Sequence, residues 1–514
     1  MSDSINNNAS EIDNNGGEGT SWRNWAGNLS SLPEEILKPV SLKQVQDLVR
    51  NRNGNKIRSF GTGHSFSPLV VANGQTLVDL SNYLEGGRKA WRWQKDGQDF
   101  VSILPSARWS EVRDALMTKD SPLPRMYMPS TGALASINAV GFLAAGCHGT
   151  GWHEKTVSDF ITEIEFVAAD GEVHVYSDAT TPNDMPAARV SLGLLGIITR
   201  VTLRVEPVFK LLDEEIVVPT ENIVGPNPSK TGGEISTVNL HKLLVGNEYI
   251  ELFWFPGSGF DGSIWVKKFN RTDAEMRDIP LRPDGWIDKF ASAVMSWTAE
   301  NPIIWNILLP LTWNTIRDRC KAIEDKHGFV AEAPRVFFYA DQAFPILDLE
   351  VAIPIPIKAD GTWELRNVVE AWYAALNYAY KEQGSFPLTT CLHARFTKAS
   401  QSLLSPAYSA NPEDRVCWIE ILSAYPKDEP DPGKRSHAMK AHMAMIEEVV
   451  PKWIKDGKGR PHWAKNWQYV QPMMKMRDLY PAENLRAFNT LRQKLDPEGA
   501  FMNAFLENQD LFRG

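Results

Sequence analysis

The sequence predicts an α+β protein of two domains: a nucleotide-binding domain, then a second domain of mixed sheet and helices. Three observations lead there. A short strand-like run, Lys56 to Phe60, feeds Gly61-Thr-Gly-His-Ser-Phe-Ser-Pro68. The glycines of this loop let the backbone turn tightly and point N–H groups at an anion. A second segment, Pro129 to Gly151, is rich in small residues and almost free of charge. Its backbone can lie close to a large planar ligand. Past Pro207 the character changes, and strand-like and helical runs alternate as far as Val450. At 514 residues the chain exceeds one ordinary core.

The elements follow in order. Ser41-Leu-Lys-Gln44 reads as a capping box, and Leu42, Val45, Leu48 and Val49 recur at helical spacing before Gly54. After the glycine loop come strand-like runs at Thr76–Leu80 and Phe100–Leu104, then a short helix from Trp109 to Met117 with Ser110 near its cap. Ile161–Ala169 and Val173–Tyr176 flank Asp170-Gly171 as a hairpin. Leu192 to Arg204 reads as a turn entering a β-branched strand. The Pro/Gly-rich stretch Asn222–Ser236 reads as a loop. Tyr249–Lys268 predicts strands, and Asp284–Lys326 a helical region broken at Pro302 and Pro310. Leu365–Gln383 is a helix with Val368, Ala371, Trp372, Ala375, Leu376 and Ala379 on one face. Strands at Leu388–Phe396 and Val416–Ala424 and a helix at His437–Val450 complete the second domain. The boundaries expected are a disordered tail at 1–21, a cofactor domain at 22–210, a cap at 211–465, and a C-terminal segment, 466–514, returning to the first domain.

Composition narrows the function classes. The hydrophobic fraction is 43%, the charged fraction 23% and the formal net charge -9, without a basic block, so nucleic acid is not an expected partner. Cys147, Cys320, Cys391 and Cys417 have neither zinc spacing nor a disulfide framework. No metal is expected. The N-terminus lacks a signal-peptide pattern, and no apolar run reaches the ~20 residues of a membrane span. A cytoplasmic location is expected, with peripheral membrane contact left open.

Several blocks resemble one family in order. The glycine–histidine loop, Ala144-Ala-Gly-Cys-His-Gly-Thr-Gly151 and Ala188-Arg-Val-Ser-Leu-Gly-Leu-Leu-Gly-Ile197 resemble the FAD-binding (PCMH-type) domain of the vanillyl-alcohol oxidase fold. Arg395-Phe-Thr397, Leu404-Ser-Pro406, Arg460-Pro-His-Trp-Ala-Lys465 and Lys494-Leu-Asp-Pro-Glu-Gly499 look like blocks of aldonolactone oxidases, with alditol oxidases as near relatives. The resemblance implies FAD, joined through His64 to the flavin 8α carbon. The residues it assigns to the cofactor are Gly61, Thr62, Gly63, His64, Ser65, Ser67, Pro68, Gly132, Ala133, Asn138, Gly141, Ala145, Gly146, Cys147, His148, Gly151, Gly196, Ile198 and Lys465. It also implies oxidation of a CH–OH group of a sugar lactone or related alcohol, with O2 as acceptor and H2O2 as product. Plant lactone dehydrogenases carry an alanine where this chain has Gly132, which favours an oxidase. The alternatives are a bulkier secondary alcohol, suggested by Trp286, Trp297, Trp305 and Trp313, an alditol, a quinone- or cytochrome-linked dehydrogenase, and an inactive flavin-binding scaffold. Ala133 replaces a serine of the alditol oxidases and removes a polyol contact.

Flavin-dependent alcohol oxidation needs a group that accepts the hydroxyl proton and cations that hold developing negative charge. The expected cations are Arg395 and Lys465. Where relatives carry Glu-x-Arg, this chain has His393-Ala394-Arg395, and Glu420 occupies the neighbouring strand at a position the alditol oxidases give to histidine. The two residues look exchanged. His393 is therefore the expected base, oriented by Glu420. The alternative leaves His393 shaping the pocket while Arg395 and Lys465 stabilise an alkoxide.

Overall fold

The computed structural model describes residues 11–13, 20–256, 262–279, 302–337, 346–382, 387–424, 432–471, 474–509 and 511–512. Most of the expected tail lies outside the described residues, as do Trp286, Trp297 and the side chain of Trp305.

The first half is built on two small layers. Helix Leu42–Arg50 starts where the Ser41 hydroxyl accepts the Gln44 N–H, and Gln44 reaches back to the Val40 N–H. Its apolar stripe, Val45 and Val49, packs with Ile57 and Val78. Those last two residues belong to a parallel sheet in which Thr76–Asp79 lies between Glu35–Leu37 and Ile57–Phe60. Beside it stands an antiparallel sheet in the order Val173–Ser177, Ile161–Val167, Ile197–Pro207, Gln98–Ile103, Ala90–Lys95. Ile57–Phe60 delivers the glycine loop to the edge of this assembly.

The second half is one antiparallel sheet. Among the described residues its strands run Phe329–Glu332, Lys210–Pro219, Ser263–Arg271, Tyr249–Trp254, Cys391–Lys398, Arg415–Ala424, Ile346–Ile355 and Arg460–Pro461. Side chains of a strand alternate between faces. On one face Leu392, Ala394, Phe396, Ile419, Ile421, Leu349, Val351 and Ile353 pack with Trp372, Leu376, Val449 and Trp453, from helices Arg366–Lys381 and Pro432–Lys455. The residues between them point the other way and include Asp348, Glu350, His393, Arg395 and Glu420.

The C-terminal residues close onto the glycine-loop strand. Ile57 N–H donates to Ala500 O at 2.7 Å, and Asn503 Nδ2 donates to Pro68 O and Val71 O at 2.9 and 2.8 Å. Buried Arg58 donates to Phe501 O and to Leu192 O, tying this end to the turn before Ile197. Two expectations change. Helix Pro302–Asp325 continues through Pro310, and helix Trp109–Met117 is capped by Arg108, whose N–H bonds Glu111, with Ser110 inside the first turn.

Two fully buried histidines, His442 and His462, are pushed down to about 3, chiefly by burial. In the unfolded chain each binds a proton near pH 6.5. A depressed folded value makes their contribution to stability complete above that pH and lost as pH falls below it. Each withdraws up to about 1.4 kcal/mol per pH unit below pH 6. Thermal unfolding scans between pH 7.5 and 5 are expected to show a steep fall in Tm, and His442→Leu is expected to shallow it. An equal slope in the variant contradicts the assignment.

Candidate active site

The site is assembled from three neighbouring strands and two loops. In strand Cys391–Lys398, His393 and Arg395 stand at i and i+2 and share a face. Antiparallel register places Glu420 directly opposite His393, and Glu350 opposite Glu420. The row His393–Glu420–Glu350 therefore crosses three strands. Asp348 lies two residues before Glu350, on the same face, and Lys465 comes in from the segment after Arg460–Pro461.

Contacts within this group are close. His393 Nδ1 is 2.5 Å from Glu420 Oε1. Arg395 Nη2 donates to Glu350 Oε1 at 2.7 Å and to Glu420 Oε1 at 3.2 Å. Lys465 Nζ lies against Asp348 and donates to Glu420 Oε2 at 3.3 Å. The imidazole of His393 stacks on Phe253 with centroids 4.0 Å apart and planes 9° apart. Its Nε2 is buried and has no protein partner among the described residues. His393 and Glu420, expected to pair across adjacent strands, are in contact in space, with Arg395 beside them.

The electrostatics follow from burial and sign. Burial alone raises the Glu420 carboxyl, but the Lys465 and Arg395 charges outweigh it and hold it well below the usual range. Glu350 is likewise held down against burial by His148 and Arg395. Lys465 stays charged well above its usual range, because Asp348, Glu420 and Glu350 overcome its desolvation. Both cations are fixed by acids on the sheet.

Asp348, Glu350, His148 in its present contact, and His462 were not expected here as part of the charged group. The alternation Leu347-Asp-Leu-Glu-Val351 was the available signal, since it puts two acids on one face of a strand whose other face is apolar. His148 Nε2 lies 3.0 Å from Glu350 Oε1, and its ring stacks on Trp418 at 3.6 Å. The ligand-type atoms of His148, Glu350 and His462 lie within 4.8 Å of one another. Arg395 already shares Glu350 Oε1, so a positive group occupies the place that a metal ion would need.

The predicted cofactor residues divide into groups. The glycine loop and the small-residue segment meet at Thr62: its hydroxyl accepts the Asn138 N–H at 3.0 Å and lies 2.9 Å from His64 Nδ1. The His64 ring stacks on Trp25, 4.8 Å away and 10° from parallel. A side chain at Gly61 would place Cβ 2.5 Å from Asn138, and Gly63 has φ 69°. Ser65 Oγ donates to Ser67 O, and Ser67 Oγ donates to Trp463 O next to Pro68. Asn138 caps the helix Ala139–Ala144 through Gly141 N–H, and Ala145 with Gly146 (φ 71°) ends it. Burial pushes the Cys147 thiol up to about 12. Gly151 N–H donates to Phe396 O at 2.6 Å and joins this segment to the charged strand. Gly132 faces Phe142, where a Cβ would sit 2.8 Å from the ring, so its small size has a packing reason beside any effect on oxygen. Ala133 is half-buried close by. Gly196 and Ile198 stand apart from the other groups. Gly196 lets the chain pass Val167 O, and Ile198 pairs with Phe166 within the sheet.

The fit to FAD rests on the donors along this cradle. Thr131 Oγ1, Ser136 Oγ and Ser191 Oγ are buried with no protein partner among the described residues. Buried hydroxyls of this kind normally have partners. Three of them in and beside the small-residue segment suit a polar ligand such as a pyrophosphate and ribose. Trp313, expected to mark an apolar pocket, is 1% exposed and packs edge-on to Phe255 at 5.6 Å, within a cluster that includes Trp265 and Phe253.

Comparisons with known proteins agree with this architecture. Residues 33–177 match an FAD-binding domain, and residues 201–509 match the D-arabinono-1,4-lactone oxidase family. An L-gulono-1,4-lactone dehydrogenase of Mycobacterium tuberculosis is 23% identical, covering 94% of this chain and 97% of its own length. The L-gulonolactone oxidase of Bos taurus is 23% identical over 96% and 98%. Among solved structures, a cholesterol oxidase from Brevibacterium sterolicum superposes with a TM-score of 0.71 at 18% identity, covering 97% of both chains. The fold is therefore the two-domain FAD-binding oxidase fold. Among the described residues no helix is long and apolar enough to cross a membrane. Since the family match spans more than half of the chain, the protein belongs to the D-arabinono-1,4-lactone oxidase family of FAD-linked oxidoreductases.

Proposed function

We propose that the protein oxidises a CH–OH group of an aldonolactone, with His393 as the base and O2 as the electron acceptor. Residues 22–210, with the returning segment 466–514, hold FAD in this reading, and residues 211–465 form the substrate side. The flavin is attached through His64, whose ring is oriented by Thr62 and Trp25. FAD, when bound, supplies the hydride acceptor. The observation that carries the reading is the buried His393: Nδ1 is committed to Glu420, which both Arg395 and Lys465 touch, and Nε2 has no protein partner among the described residues. A base needs such a nitrogen, within hydrogen-bond reach of the proton it takes.

The chain's own residues then divide the work. His393 Nε2 accepts the substrate hydroxyl proton, and Glu420 holds the imidazole by Nδ1 and stabilises the cation that forms. Arg395 and Lys465 hold the substrate oxygen as negative charge grows on it. Both are anchored by acids before substrate arrives, so little reorganisation is left to the reaction step. Burial of the row keeps water from competing for the same proton.

Three measurements test this. In His64→Ala the yellow chromophore should leave the protein on acid precipitation, whereas wild type should retain it in the pellet. In His393→Gln, anaerobic stopped-flow reduction by L-gulono-1,4-lactone or D-arabinono-1,4-lactone should slow on the order of 10²–10⁴-fold. Reduction within a few-fold of wild type removes His393 from the role of base. Turnover in air should release one H2O2 per lactone oxidised. Turnover that requires an added quinone or cytochrome, with none in air, assigns a dehydrogenase instead.

A further inference from the structure

The charged row does not balance as drawn. Among the described residues three buried carboxylates, Asp348, Glu350 and Glu420, face two part-buried cations, Arg395 and Lys465. With His393 as the neutral base proposed above, one negative charge is left over, and an uncompensated buried charge is strongly unfavourable. It would also oppose the negative charge that oxidation of an alcohol builds at this place. A compensating proton has to reside within the group.

His148 shows where. Its Nδ1 lies 2.8 Å from Gly149 O, and its Nε2 lies 3.0 Å from Glu350 Oε1. A carbonyl oxygen only accepts, so Nδ1 carries a hydrogen. The second nitrogen then faces a carboxylate oxygen and also needs a hydrogen to make a favourable contact. With both nitrogens donating, the ring and Glu350 together hold one proton more than a neutral imidazole beside a carboxylate. The ring is 3% exposed and stacked flat against Trp418; burial pulls the imidazole below its ordinary range, and the Glu350 carboxylate works against that pull. The groups facing the pair are Arg395 from Cys391–Lys398, Glu420 from Arg415–Ala424, Asp348 from Glu350's own strand, Lys465 and His462 from the segment after Arg460, and Cys147 beside the histidine.

We propose that His148 is a positioning residue that carries this compensating proton, donating through Nε2 to Glu350 so that Glu350 can hold Arg395 against the reacting oxygen. The histidine comes from the small-residue segment and the acid from the sheet, so this bond fixes the cation relative to the cofactor cradle. The proposal rests on the role given to Arg395 above. Asp348 is the competing resting place for the proton, since burial holds its carboxyl well above the usual range and the Lys465 contact only partly opposes this.

The test is a charge-balance series read by the flavin midpoint potential, which needs no lactone, and separately by lactone kinetics. His148→Gln keeps a donor to Glu350 but removes the charge. Its potential is expected to fall and kcat to drop on the order of tenfold or more, with KM changed much less. Adding Glu350→Gln restores neutrality and is expected to return the potential most of the way to wild type. Glu350→Gln alone should raise the potential, and it keeps the test available if His148→Gln does not fold. Asp348→Asn should also raise it, because that acid is ionised in this scheme. An unchanged potential in His148→Gln, a double variant no closer to wild type than the single, or a neutral Asp348→Asn overturns the proposal. A wild type that oxidises neither lactone would refute the functional reading, while the potentials would still decide this one.

Discussion

The rest of the site depends on a balance of buried charge. Five ionisable side chains, Asp348, Glu350, Arg395, Glu420 and Lys465, are packed on one face of a sheet whose other face is entirely apolar where they stand. Taking such groups out of water is expensive, and the three acids share two cations, so the group also needs a compensating proton. The same pairing fixes the orientation of both cations. Cations already held by carboxylates are pre-oriented donors, and they act most strongly where water is absent.

The second layer supplies both support and exclusion. Helices Arg366–Lys381 and Pro432–Lys455 hold the sheet through Trp372 and Trp453, each about 1% exposed or less, so the strands cannot shift register without opening that core. Register is what counts here. A slip of one residue would send His393, Glu420 and Glu350 to the helix side together. The opposite wall comes from the cofactor half, where Gly151 and Thr150 bond across to Phe396 and Ile250. The two halves therefore share hydrogen bonds beside the charged row.

The contact of histidine and glutamate across adjacent strands has a simple physical basis. A directly opposed antiparallel pair has its Cβ atoms about 5 Å apart, so either order of the two residues yields the same contact. What changes is the neighbour of each. Here the histidine meets Phe253 and the glutamate meets both cations. The carboxylate is thus kept ionised, and the imidazole stacks on an apolar ring.

Much of this was legible along the chain. The strand–glycine–histidine run, the small-residue segment, the helix Arg366–Lys381 and the i, i+2 placement of His393 and Arg395 all follow from local spacing and side-chain period. Those are short-range properties, and a sequence carries them directly. The passage of helix Pro302–Asp325 through Pro310 was not legible, because surrounding packing can override the local cost of a proline. Asp348 and Glu350 were readable as two acids on one strand face, but not as partners of Lys465 and Arg395. Nor could any local pattern bring His148 to Glu350, 202 positions away. The sequence by itself determined which side chains share a face within each strand and that His64 stands in a glycine turn. Only the tertiary structure decided which faces meet, since pairing order, register and the closure of the cofactor half on the sheet are set by burial of the whole core.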